Sequence, residues 1–329
     1  MKILLSVPGY TRTNPMTHFA ATALRLLGHE VVVFNYEREN QVERVREKLG
    51  FRQFLAYKNR QLLALAEATK PDVFFTIYGR NHDAATLQEL KRRGLPTICW
   101  WLDDPISLAQ NYIPLHLYDF FFSNSRGTAP VYRHYGVDTP RFLPVAVDPA
   151  IHRPLEDIEK QYDIVFAGDW HPTRERVLLE LARHHHLTII GPWQRRIPKN
   201  SPLRPHFLRF GYFTPDEMAL LFNQARIVLN VHQWYQRWTY GINPRLFEAS
   251  GCRAFQLTDS KEEIPELYLP NVEMILYDDA AALPELLTHY LAHPDECARI
   301  ANNAYTRTLR DHTYVHRMEH MLRVCGLSG

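Results

Sequence analysis

Short runs rich in β-branched and aromatic residues alternate, along almost the whole chain, with segments whose apolar residues recur every three or four positions. That alternation points to parallel α/β architecture, because each pair of parallel strands needs a crossover long enough for a helix. In the first half it predicts strands at 3–7, 31–34, 73–77, 97–101 and 120–124, with a short sixth at 142–145. Ala20, Leu24 and Leu27 mark a helix after the first strand, and Gly28 is placed to end it. Residues 38–70 form a charged, mostly helical crossover. The pattern restarts at 163–168 and continues at 187–191, 227–231, 254–258 and 274–277. Met218, Leu221, Phe222 and Ala225 share one helix face; Leu283, Leu286, Leu287, Tyr290 and Leu291 share another.

A chain of 329 residues, at roughly 150 per domain, has room for two such sheets. The stretch 148–160 carries two prolines and several charges and reads as the linker between them. The expected division is a first domain at 1–150, a second at 151–310, and a C-terminal helix at 311–329 able to pack back on the first. The fold class is therefore α/β with two doubly wound, Rossmann-like parallel sheets. Ligands of such sheets sit outside the carboxyl ends of the strands, so residues just after strands are the ones to weigh.

Composition removes several classes of function. The 38 basic and 36 acidic residues leave a formal charge of +2, which calls for neither nucleic acid nor an anionic membrane. No apolar run approaches the roughly 18 residues of a membrane span, and the short apolar start reads as a strand, not a signal peptide. The four cysteines form no CxxC pair, which argues against structural zinc and a disulfide framework and suits a reducing, cytoplasmic setting.

Four segments carry candidate chemistry. Gly168-Asp169-Trp170-His171-Pro172-Thr173-Arg174 runs from a strand end into a helix start, where free N–H groups and Arg174 suit an anion. An ordinary strand-to-helix turn accounts for it equally, and the Gly-rich run and Lys-Ser/Thr pair of a P-loop are missing. The second segment, 240–252, sets Arg245 and Glu248 three apart on one helix face after Asn243 and Pro244. They form either an intrahelical ion pair or a clamp, carboxylate to ribose and guanidinium to diphosphate. In Trp101-Leu102-Asp103-Asp104-Pro105, adjacent acids point to opposite faces, and either a general base or a turn explains them. His312 and His316 have helical spacing but neither the glutamate between them nor the third ligand of a zinc site.

Taken in order, these segments identify a resemblance that runs nearly end to end. Gly28-His29-Glu30-Val31, Trp101–Pro105, Leu143-Pro144-Val145-Ala146-Val147-Asp148, Tyr162–Gly168, Leu229-Asn230-Val231, Gly241–Glu248, His312-Thr313-Tyr314 and Arg317 together resemble the CgeB-type, glycosyl transferases group 1-like proteins. The resemblance implies the GT-B fold, two facing Rossmann-like sheets with a cleft between them. It implies a glycosyltransferase that takes a nucleotide-diphosphate sugar, a UDP-sugar foremost, and needs no metal or other cofactor. The donor would lie mainly on the second domain and the acceptor, a protein, glycan or small molecule, on the first. In related enzymes two glutamates separated by seven residues grip the donor. Glu248 matches the second, which holds the ribose, while Tyr240 stands where the first would be. The expected donor-binding set is Gly168, Arg174, Tyr212, Tyr240, Asn243, Arg245 and Glu248, with Tyr212 and nearby backbone forming the base pocket. Arg245, with Asp103 or Asp104 as base on an inverting route, forms the expected catalytic set; a retaining route, favoured by analogy, needs no such base. Trp234, Tyr235, Trp238 and Tyr240 could stack on sugar rings or simply fill an interface. The basic, proline-rich connection 191–208 reads either as a mobile loop over the diphosphate or as plain surface. A nucleotide-sugar epimerase of the same fold, and a binding or scaffold protein with a degenerate cleft, are the rival readings; Tyr240 keeps the latter open.

Overall fold

The computed structural model describes residues 1–9, 15–37, 41–103 and 114–327. The chain divides into two compact units, Met1–Pro144 with Tyr314–Gly329, and Val145–Thr313. The first unit runs β1 (Lys2–Val7), α1 (Met16–Leu26), β2 (Glu30–Asn35), α2 (Gln41–Leu49), α3 (Phe51–Thr69), β3 (Val73–Ile77), α4 (Ala84–Arg92), β4 (Thr97–Trp101), β5 (Phe120–Ser123), α5 (Ala129–His134) and β6 (Arg141–Phe142). All its strand pairs are parallel, in the order β2-β1-β3-β4-β5-β6. Both faces are covered, which is why β3 and β4 are buried along their whole length and read as unbroken apolar runs. The expected strand at 142–145 shortens to two residues, because Pro144 has no N–H to give a ladder.

The second unit runs β7 (Tyr162–Ala167), α6 (Pro172–Leu181), β8 (Leu187–Gly191), β9 (Phe207–Phe210), α7 (Pro215–Gln224), β10 (Ala225–Asn230), α8 (Arg245–Gly251), β11 (Gln256–Asp259), α9 (Ile264–Leu267), β12 (Ile275–Tyr277), α10 (Leu283–Ala292) and α11 (Pro294–Asp311). Its strands, also parallel, lie in the order β12-β11-β10-β7-β8-β9, so the winding reverses between β7 and β10. The edge strand β9 is not anticipated by the alternation pattern: it is short, and two of its four residues are exposed. The connection leading to it is anchored in the core, since Trp193, Ile197 and Leu203 are buried and Arg204 donates to the carbonyls of Gln194, Ile197 and Pro198. It is thus a packed segment, not a loop free of the core.

The last helix, α12 (Tyr314–Val324), belongs to the first unit. Tyr314 packs against Phe19 of α1 and Trp100 of β4, and the Arg317 Nε donates to the Pro144 carbonyl at 3.0 Å. Among the described residues no helix is long and apolar enough to cross a membrane.

Candidate active site

In a doubly wound sheet the ligand crevice opens where the strand order reverses, here beyond the carboxyl ends of β7 and β10. Arg174 spans that point. Pro172 starts α6, and the His171 Nδ1 accepts from the Thr173 N–H as its cap. One turn in, the Arg174 Nε donates to the Val231 carbonyl past β10 at 2.8 Å, and its Nη1 to the Asp169 carbonyl past β7 at 2.9 Å. The residue is 7 % exposed, its guanidinium lies over the Phe166 ring, and no described carboxylate pairs with it. Burial, with Arg245 nearby, lowers its pKa to about 10, so it remains a cation at neutral pH.

Gly168 lets the backbone come close to this guanidinium: a Cβ there would lie 3.3 Å from the Arg174 Nη1. The Gly168 carbonyl accepts from the Trp193 indole at 2.8 Å. Gly191 at the end of β8 passes so near that its Cβ would fall 2.1 Å from that carbonyl. Sequence inspection weighs Gly168 but gives no hint of the Trp193–Gly191 seat beneath it.

Arg245 and Glu248 meet the same strand end from α8. The Arg245 Nε donates to the Ala167 carbonyl at 3.2 Å, its Nη1 to Glu248, and its guanidinium covers the Phe213 ring. Its side chain keeps 22 % exposure, whereas that of Glu248 is buried. Below Glu248 lies His152, its Nε2 3.9 Å from the carboxylate and its pKa lowered by burial against the opposing pull of Glu248. Gly251 makes room for this segment: a Cβ there would sit 2.6 Å from Val147 Cγ2 and 2.9 Å from the His152 carbonyl.

The start of α8 is anchored by a buried chain. The Asn243 N–H donates to the His232 Nε2 at 3.1 Å, and the His232 Nδ1 meets the Asp259 Oδ1 at 2.7 Å. Asp259 also accepts the His232 backbone N–H and pairs with Lys261 at 2.7 Å. Burial raises the Asp259 pKa, but His232 and Lys261 outweigh it and hold the carboxyl at about 2. Asn243 and Asn230 exchange side-chain hydrogen bonds, and Asn230 bonds Thr258 as well. His232 and Asp259 escape sequence reading, although both directly follow or end strands, the position that the fold rule singles out.

The other expected residues stand as follows. Tyr240 is half-buried, edge-on to Trp238, and with Tyr235, Arg237, Lys261, Glu262 and Asp278 lines a cavity of about 630 Å³. Next to it the Gly241 N–H points at both oxygens of buried Glu263, 3.1 and 3.0 Å away. Tyr212 is 60 % exposed, and its neighbour Phe213 touches Arg245. In the first unit, Asp103 forms an ion pair with Arg80, whose guanidinium lies over the rings of Tyr78 and Trp101. Asp104 lies outside the described residues. His312 is buried against Phe247 and Tyr268, its Nε2 2.8 Å from the Leu267 carbonyl. Among the described residues no three His, Cys, Asp or Glu side chains gather as a metal site.

Gly168, Arg174, Asn243, Arg245 and Glu248 thus gather past the carboxyl ends of β7 and β10, with two guanidinium groups and one buried carboxylate. Residues 174–323, most of the segment that builds it, match the family described as Glycosyl transferase-like. The chain is 26% identical over 263 residues to the spore protein CgeB of Bacillus subtilis (strain 168), covering 75% of this chain and 81% of that protein. It superimposes on a sucrose-phosphate synthase from Thermosynechococcus elongatus with a TM-score of 0.74 at 12% identity, over 99% of this chain and 98% of that one. It also superimposes on Anabaena HepE in complex with UDP and glucose, with a TM-score of 0.70 at 13% identity over 99% of both chains. These matches define the fold as GT-B and relate its second half in sequence to glycosyl transferase-like proteins. Its sequence is similar to the CgeB-type, glycosyl transferase-like proteins over much of its length.

Proposed function

We propose that the second unit binds a UDP-sugar at the β7–β10 switch point and that the enzyme transfers its sugar to an acceptor hydroxyl without a metal. The observation that carries this reading is Arg174: a cation buried to 7 % exposure with only carbonyls as partners, beside the part-exposed Arg245. Burying a charge costs several kcal/mol; Asp169 and Asp259 offset part of that cost at a distance, and a diphosphate would supply a direct counter-charge. HepE, of the same fold, is seen with UDP and glucose.

In this reading Arg174, Arg245 and the N-terminus of α6 hold the diphosphate, and Gly168 lets it approach the backbone. Glu248 turns from Arg245 toward the ribose hydroxyls, and the backbone near Tyr212 meets the base. The bond from the anomeric carbon to the diphosphate oxygen breaks while the acceptor oxygen bonds to that carbon. The guanidinium groups take up the charge left on the departing phosphate. We favour the retaining route, in which the departing phosphate oxygen receives the acceptor proton, because Arg80 already engages the Asp103 carboxylate. The acceptor is assigned to the first unit, where a cavity of about 440 Å³ opens past β1 and β2 between Pro8, Tyr36, Glu37, Arg44, Phe54 and Asn81.

A thermal-shift panel of UDP, GDP, ADP and dTDP in the presence of EDTA tests the reading. UDP at a hundred times its Kd is expected to stabilise the protein by about 2.7 kcal/mol, without added metal. No response to any of the four nucleotides would sink it.

A further inference from the structure

We propose that His232 is a positioning residue, which in its neutral form holds the Asn243 amide and through it sets Arg245 and Glu248 for the donor; this rests on the donor reading above. The geometry fixes its tautomer. Nε2 faces an N–H donor, so it carries a lone pair, and the single ring proton sits on Nδ1, directed at Asp259. The imidazole is completely buried between β10 and β11, so no water can replace either partner. Two residues after Asn243 comes Arg245, and five after it Glu248, on a helix of only two turns. A shift of the Asn243 amide therefore carries both side chains with it.

Protonation breaks the link. An imidazolium has no lone pair at Nε2, so the Asn243 N–H loses its acceptor and meets another N–H instead. The groups facing the ring are Asp259 from β11, Lys261 just beyond it, Arg174 from α6 and the Trp234 indole. Burial, Lys261 and Arg174 favour the neutral ring, while Asp259 favours the charged one; burial is the largest and the pKa lies below its ordinary value. Donor affinity is thus full at neutral pH and falls as His232 titrates on the acid side. His152, under Glu248, titrates in the same direction, so a variant is needed to separate the two.

The test is the dissociation constant of UDP-glucose, whose diphosphate does not titrate in this range, measured from about pH 8 to about pH 5. For the natural protein the loss that accompanies protonation of the His232 ring is expected to be about tenfold, the equivalent of one buried hydrogen bond, and it falls below the ordinary histidine range. His232→Gln places an uncharged acceptor near Nε2, and it should bind within about threefold of the natural protein at neutral pH and lose most of the acid-side dependence. A variant whose acid-side loss parallels that of the natural protein would overturn the proposal. If His232→Gln does not fold, hydrogen exchange of the Asn243 amide in the natural protein, followed together with the His232 ring protonation by NMR, decides: protection that is lost as the ring takes up its proton supports it, and protection unchanged across that titration overturns it. Absence of UDP-glucose binding at every pH would instead count against the donor reading, and the exchange measurement would still decide the role of His232.

Discussion

Arg174 ties together the two strand ends of the switch point and, in the proposed reading, serves the donor as well. Its two hydrogen bonds go to carbonyls on either side of the switch point, so it closes the crevice floor while its charge is left for an anion. A lysine has one compact ammonium and cannot span both carbonyls. Arg174→Lys is expected to lower stability by about 1–3 kcal/mol and to weaken UDP binding about tenfold, read by urea unfolding and titration calorimetry. Normal stability with unchanged affinity would remove Arg174 from the site. Arg174, Arg245 and Glu248 were each visible in the sequence as charges just after strands or on one helix face. What the sequence hides is their environment: the Phe166 and Phe213 rings under the two guanidinium groups, and His152 under Glu248. The first joins a strand to the helix after it, and the other two join residues far apart in the chain; no local period records any of them.

At the scale of elements, the alternation of strand and helix signals predicts most of both sheets because parallel strands buried on both faces are long apolar runs. It misses β9, a short edge strand with few buried residues, and overextends β6, which stops before Pro144. The glycine at the end of β8 has a consequence that spacing does not reveal. Gly191→Ala would push a methyl into the Gly168 carbonyl and the Trp193 ring, 2.1 and 2.9 Å from the new atom. The backbone on one side must move, so the expected cost is about 1–3 kcal/mol in the second unit, with weaker nucleotide binding if the shifted carbonyl belongs, as proposed, to the loop that holds the donor. Denaturant unfolding and UDP titration of this variant check both effects. Gly251→Ala, whose new methyl meets the segment carrying His152, should destabilise α8 in the same way.

For the whole molecule, the two units carry separate buried histidines that make folding acid-sensitive. In the first unit His82 lies between the Ser6 hydroxyl and the Tyr118 hydroxyl, each 2.9 Å from a ring nitrogen, and burial lowers its pKa to about 4. A group depressed from 6.5 to about 4 leaves stability untouched above pH 6.5 and costs more as the pH falls through this window. Protonation then favours the unfolded chain, by about 3 kcal/mol once the pH is below both values. Urea unfolding at about pH 7 and about pH 4 should show that loss, and His82→Gln should reduce it. Equal stability at the two pH values would contradict the burial argument.

The central claim is that the Arg174, Arg245 and Glu248 cluster binds and cleaves a nucleotide-sugar. The most direct measurement follows UDP-glucose by NMR in the presence of EDTA, with the natural protein and with Arg245→Ala. Slow release of UDP by the natural protein is expected, through transfer to water when no acceptor is present. A loss of about a hundredfold is expected in Arg245→Ala, the scale of removing one charge-stabilising donor from a leaving group. UDP-glucose left intact by the natural protein, returned as an isomerised sugar nucleotide, or consumed equally by Arg245→Ala would contradict the claim.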